Sequence, residues 1–180
     1  MRDEMTKDRL RQLMQEIART APRKGSYRVH LVGGATAVFS GWRASSVDAD
    51  LFSEEEDVFR DIQGIKERLN ANVEFARPEQ LVPALRGSED RHVFVDTIGN
   101  VSFFHYDPYA QVFAKIVRGF ERDLDDAEQF VRSGMVDPQA LRALVAAIPD
   151  AAYARYPALS PSAVREVVDA FLEELGTSSS

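Results

Sequence analysis

The chain has 180 residues, 44% of them hydrophobic, no cysteine, and 29 acidic against 22 basic side chains for a formal charge of -7. That size allows one substantial core with a helical appendage, and the lack of cysteine excludes disulfides, thiolate catalysis and cysteine-held metal sites. The acidic balance disfavours a protein that coats nucleic acid by phosphate neutralisation, while leaving room for a local basic patch.

Along the chain, Leu10, Leu13, Met14 and Ile17 form one helical stripe over residues 6–20, with Thr6 or Asp8 near its start and Ala21, Pro22 and Gly25 ending it. Y-R-V-H-L-V reads as a short strand ending at Gly33-Gly34, and A-T-A-V-F-S as a short helix closed by Gly41. Residues 46–52 read as a second strand. The acidic run E-E-E-D at 54–57 suits a helix amino terminus, and Val58, Phe59, Ile62, Ile65 and Leu69 supply that helix with a buried face. A-N-V-E-F-A is a third strand ended by Arg77-Pro78, and residues 78–91 read as short turns. H-V-F-V-D-T and N-V-S-F-F-H-Y flank Gly99 as a tight hairpin.

From Asp107 onward only helices are expected. The first is opened by Asp107-Pro108 and the next is marked by Leu124, Ala127, Phe130 and Val131. A third starts at Asp137-Pro138 and a last at Ser160-Pro161. The expected organisation is an α/β core over residues 1–106, a helical part over 107–175 packed on it, and a disordered tail at 176–180. No run approaches the roughly 20 apolar residues of a membrane span, and the charged opening M-R-D-E-M-T-K-D-R-L leads into no apolar stretch. A cytoplasmic protein without membrane association is the expectation.

Asp48 and Asp50 sit two apart in an apolar run, where like charges repel and are costly to bury unpaired. On a strand both point the same way, about 7 Å apart, and can converge on a hard divalent cation whose charge offsets them. The plainer reading is a solvated sheet edge. Gly33-Gly34, between a strand and a short helix, lets backbone N–H groups come close to a phosphate; a tight turn without chemical role is its plainer reading.

V-G-G-A-T-A-V-F-S-G-W-R-A-S-S-V-D-A-D-L-F, residues 32–52, resembles the signature of the nucleotidyltransferase superfamily built on the polymerase-beta-like fold. In that superfamily a Gly-Gly or Gly-Ser turn precedes a short helix, and Asp-x-Asp sits on the following strand. Gly-Gly with an Arg upstream of Ser-Ser is similar to a branch of uncharacterised nucleotidyltransferase-like proteins and of toxins from toxin–antitoxin and phage-exclusion systems. A looser likeness covers residues 28–133, since K-I-V-R-G-F-E-R-D-L-D-D also resembles a helical element of those relatives.

The resemblance implies an α+β fold, a mixed sheet with flanking helices and a helical C-terminal part. It implies that Gly33 and Gly34 hold phosphate and that Asp48 and Asp50 bind magnesium. A third carboxylate is expected on the strand after the next helix, where Glu74 stands; Asp96 competes for that role, and its absence would leave a nucleotide-binding or protein-interaction module without turnover. Arg43, Lys115 and Arg118 become candidate contacts to the triphosphate, with Asp123 and Asp126 orienting the last two through ion pairs. For Lys115, Arg118 and Arg122 a solvated helix side is the plainer reading. His30 reads as structural, His105 and Tyr106 as core or cleft lining, and Trp42 as cover or cap.

The implied activity is magnesium-dependent transfer of a nucleoside monophosphate from an NTP to a hydroxyl on RNA, protein or a small molecule. A cognate partner protein or a homodimer is compatible with it.

Overall fold

The computed structural model describes residues 2–178. In chain order the elements are β1 (Met5–Thr6), α1 (Lys7–Thr20), β2 (Tyr27–Val32), α2 (Gly34–Phe39), β3 (Ser45–Ser46), β4 (Ala49–Phe52), α3 (Ile62–Leu69) and β5 (Val73–Phe75). There follow β6 (Val93–Ile98), β7 (Val101–His105), α4 (Pro108–Arg118), α5 (Glu121–Arg132), α6 (Pro138–Ala146) and α7 (Pro161–Ser178). Two compact units result: residues up to Arg77 together with His92–Tyr106, and Pro78–Arg91 together with the residues from Asp107 onward.

The first unit is built on a five-stranded mixed sheet in the order β5-β4-β2-β7-β6. Central β2 runs antiparallel to β4 and parallel to β7. Alternation along the strands puts Val29, Leu31, Ala49, Leu51, Val101 and Phe103 on one face. Leu10, Leu13 and Ile17 of α1 and Ile65 of α3 close that face, and each of these side chains is fully buried. Such burial stabilises by roughly 1.5–3 kcal/mol per large aliphatic side chain. The α1 stripe is held in place by its cap, Thr6, whose side chain accepts a hydrogen bond from the Arg9 backbone N–H.

Three expectations are corrected here. Residues 46–52 are not one strand: β3 pairs with β1, Met5 opposite Ser46, and β4 begins only at Ala49. The cause is local, since Ser46 Oγ donates to the Asp48 carbonyl at 2.8 Å and bends the chain at Val47-Asp48, competing with the sheet ladder. The acidic run does not open a helix directly either. Glu56–Phe59 form a single 3-10 turn, and α3 starts at Ile62 and ends on Asn70 with φ 49°. Finally, α7 does not stop at 175 but continues through Gly176 to Ser178, with Thr177 Oγ1 donating to the Glu174 carbonyl; Ser179 and Ser180 lie outside the described residues.

In the second unit α4 is the buried helix, with α5, α6 and α7 in contact with it. Asp107 caps it, accepting from the Tyr109 N–H at 2.9 Å, and its fully buried carboxylate also receives the Arg91 guanidinium at 2.8 Å. That buried pair explains why residues 78–91 group with the helices and not with the sheet. Tyr156, which donates to the Glu79 carbonyl, ties down the other end of the segment.

Candidate functional site

The Gly33-Gly34 turn closes β2 and opens α2. Gly33 has φ 54° and ψ -120°, a conformation that side-chain-bearing residues rarely adopt. A Cβ built on it would lie 2.9 Å from Asp50 Oδ2, and one built on Gly34 would lie 2.4 Å from Ser46 Oγ and 3.6 Å from Arg43 Nη2. A Cβ at either position would have to displace one of these side chains, and at Gly33 the backbone conformation adds to the preference for glycine. The turn, the Asp50 carboxylate, Ser46 and the Arg43 guanidinium meet in one place.

A second anchor fixes α2. Thr36 Oγ1 donates to the Leu31 carbonyl at 3.1 Å, so its oxygen is left to accept from His105 Nδ1, also at 3.1 Å. Burial pushes the His105 pKa down to about 4, which keeps the ring neutral and fit for this role near pH 7. His105 is thus a support of the glycine turn from the closed side of the sheet.

Register places the carboxylates. Asp50 stands opposite Val32 on β2 and opposite Glu74 on β5, so Asp50 and Glu74 share one face of the sheet in one cross-strand row. Asp96 stands opposite Phe103, whose side chain belongs to the closed face. It is on the wrong face, and two strands separate its own strand from β4. Of the two candidates for a third carboxylate, Glu74 is the neighbour of Asp50.

Asp48 is not on a strand at all. It is half-buried in the bend, its backbone held by Ser46, and its carboxylate meets no hydrogen-bond or ion-pair partner among the described residues. The same holds for Glu74, which is exposed. Among the described residues no group of three or more His, Asp or Glu side chains comes close enough to hold a metal ion by itself. Magnesium does not demand such a cage, since it commonly keeps several waters and takes one or two carboxylates plus substrate phosphate oxygens. The Asp50–Glu74 row and the space beside Gly33 are compatible with that mode of binding.

Lys115 and Arg118 lie in the other unit and are engaged there. Lys115 is 6% exposed, and its ammonium donates to Asp126 at 2.9 Å and lies 3.8 Å from Asp123. Arg118 grips Asp123 with two hydrogen bonds of 2.7 and 2.6 Å. Burial raises the Asp123 pKa, but the Arg118 hydrogen bond and charge and the Lys115 charge outweigh it, and the net shift is downward. The ion pairs expected from the sequence are present, and the Lys115 charge is offset where it stands.

Sequence reasoning missed Ser46, Thr36 and a row of rings beside Asp50. Phe94, Phe104, His30 and Phe52 stand opposite one another on four adjacent strands, with Arg28 over the Phe104 ring and Arg77 over the Phe52 ring. Period-two alternation could have placed each ring on its face, but not the register that aligns them.

A mixed sheet whose central strand ends in a glycine turn, with an Asp-x-Asp pair entering the neighbouring strand, is the architecture of a nucleotidyltransferase-like protein. The model of a family described as nucleotidyltransferase of unknown function (DUF6036) matches residues 8–173, and the chain belongs to that family. Comparison with curated proteins and with solved structures gives no match in either set. No helix among the described residues is long and apolar enough to cross a membrane.

Proposed function

We propose that the chain transfers a nucleoside monophosphate from an NTP to a hydroxyl acceptor. The observation that carries this reading is the meeting of Gly33 with Asp50, whose carboxylate oxygen would lie 2.9 Å from any Cβ at the turn, in the same row as Glu74. Gly33 and Gly34 let the start of α2 approach the triphosphate, where backbone N–H groups have no partner within the helix. Arg43, beside Gly34, supplies a cation to the phosphate oxygens. Asp48, Asp50 and Glu74 would hold magnesium, which when bound activates the acceptor hydroxyl and offsets the charge developing on the α-phosphate and the leaving pyrophosphate. Ser46 fixes the bend that carries Asp48, and the Thr36–His105 pair fixes the turn, so the chain contributes position and charge and no covalent intermediate.

A second reading, nucleotide binding without transfer, draws on one observation: no three-carboxylate group is assembled among the described residues. Label from each of the four α-labelled NTPs, followed onto total RNA and protein with magnesium, separates the two. Transfer that is lost in Asp50→Asn supports the first reading; magnesium-dependent nucleotide binding without any labelled product supports the second. A place in a toxin–antitoxin pair, the setting of the branch that the motif resembles, would appear as growth arrest on expression of the wild type and not of Asp50→Asn.

A further inference from the structure

The bend that carries Asp48 is held at two ends of different kinds. Downstream it enters β4 at Ala49, which is fully buried and donates its N–H to the Asn72 carbonyl at 2.9 Å, so this end belongs to the five-stranded sheet. Upstream it leaves β3, and among the described residues the one strand that β3 pairs with is β1. Asp48 lies on neither β3 nor β4. Where its carboxylate stands therefore depends on Ser46, which holds the Asp48 carbonyl, and the place of Ser46 depends on its pairing with Met5.

Two strands of two residues each do not hold themselves together, so the ties around β1 decide how firm this end is. On one side Glu4 Oε2 accepts from the Ser45 hydroxyl at 2.9 Å, and Met5 is 1% exposed. On the other side the Asp3 N–H donates to the Asn70 carbonyl at 3.0 Å, Arg2 donates to the Lys66 carbonyl and Arg9 to the Leu69 carbonyl at 2.6 Å. The two arginines answer carbonyls at the end of α3, which is capping and stabilises the helix. The Glu4–Ser45 bond caps nothing and is exposed, so its effect falls on the bend and little on the fold as a whole. Residues 2–6 thus run from Ala71, three residues before Glu74, to Ser46, two before Asp48.

We propose that residues 2–6 are a positioning strap for the magnesium site, with Glu4 as a positioning residue that acts through Ser45 on the Asp48 carboxylate. The inference rests on the reading of the carboxylates given above.

The test measures, on the full chain, the magnesium dependence of binding of a non-hydrolysable NTP analogue by calorimetry, together with hydrogen exchange of the peptide covering residues 43–49. In Glu4→Ala that peptide exchanges faster than in the wild type, and half-maximal binding needs about fivefold more magnesium, the scale of one exposed hydrogen bond to a carboxylate. Glu4→Gln removes the charge but keeps an acceptor for Ser45, and it shows the wild-type values in both measurements, which separates the bond from the charge. Because Glu4 acts through Asp48, Glu4→Ala/Asp48→Asn needs no more magnesium than Asp48→Asn alone. Additive losses in that double variant, or a folded Glu4→Ala with unchanged exchange or unchanged magnesium dependence, overturn the proposal. Wild-type nucleotide binding that does not depend on magnesium removes the transferase reading and the strap's role with it. Magnesium dependence that Glu4→Ala leaves intact removes the strap alone.

Discussion

The acidic residues of the helical unit and those around the start of β4 stand in opposite surroundings. Asp123 and Asp126 are buried and answered within a few ångström by Arg118 and Lys115. Asp48 and Glu74 are more open and have no cation or donor among the described residues, and Asp50 stands against a turn from which every Cβ is absent. The first arrangement completes itself, and its consequence is structural. The second brings Asp50 to the glycine turn and leaves the Asp48 and Glu74 carboxylates open, which suits a cation held together with an anionic ligand.

This contrast can be broken by mutation. Asp50→Asn should bring labelled transfer to background while unfolding free energy changes by about 1 kcal/mol or less, since Asn keeps the size of the side chain. Asp126→Ala should do the reverse in kind, removing about 3 kcal/mol of stability by leaving the Lys115 ammonium short of a partner. With Asp123 only 3.8 Å away the loss stays at the low end of the usual range, and a drop in Tm of roughly 6–12 °C is expected by calorimetry. A Tm change in Asp50→Asn as large as that in Asp126→Ala would erase the distinction.

Acid sharpens the comparison. The His30 and His105 pKa values are both lowered to about 4 from an ordinary 6.5, by burial first in each case and for His30 also by the charges of His92 and Arg28. The unfolded chain therefore binds more protons between pH 6.5 and 4. Stability should fall as pH drops through that window, by about 2 kcal/mol per histidine. Asp123, lowered below its ordinary 3.8, holds its contribution above that value and loses it only as pH falls further. Urea unfolding at pH 7 and 4.5 reads the histidine part, and equal stability at the two values would contradict it. Gly33→Ala is expected to cost about 1–3 kcal/mol of backbone strain together with a displaced Asp50 carboxylate. Reduced transfer and a weaker fold should appear together, and a substitution without consequence for either would show that the turn tolerates a side chain.

Much of this was legible in the sequence because the signals were local. The α1 stripe, the hairpin at Gly99 and the Pro-opened helices rest on periodicity and caps, and the structure has them where the residues put them. The glycine turn and the paired aspartates were visible as a motif. What escaped depended on contacts between distant residues. The strand at 46–52 was split by one Ser46 hydrogen bond and by pairing with residues near the chain start, and neither leaves a trace in alternation. Which of Glu74 and Asp96 neighbours Asp50 depended on register, which pairs Glu74 with Asp50 and Asp96 with Phe103. The pairing of Lys115 with Asp123 and Asp126 was expected from the sequence, but not that it would bury the ammonium within the helical unit.

The most direct test of the contrast is calorimetric titration of a non-hydrolysable NTP analogue into the wild type and into Asp48→Asn/Asp50→Asn, each with and without magnesium. Binding that requires both magnesium and the two aspartates is the expected result. Equal binding by the two proteins, or none by a folded wild type at millimolar nucleotide, would contradict the assignment of these carboxylates.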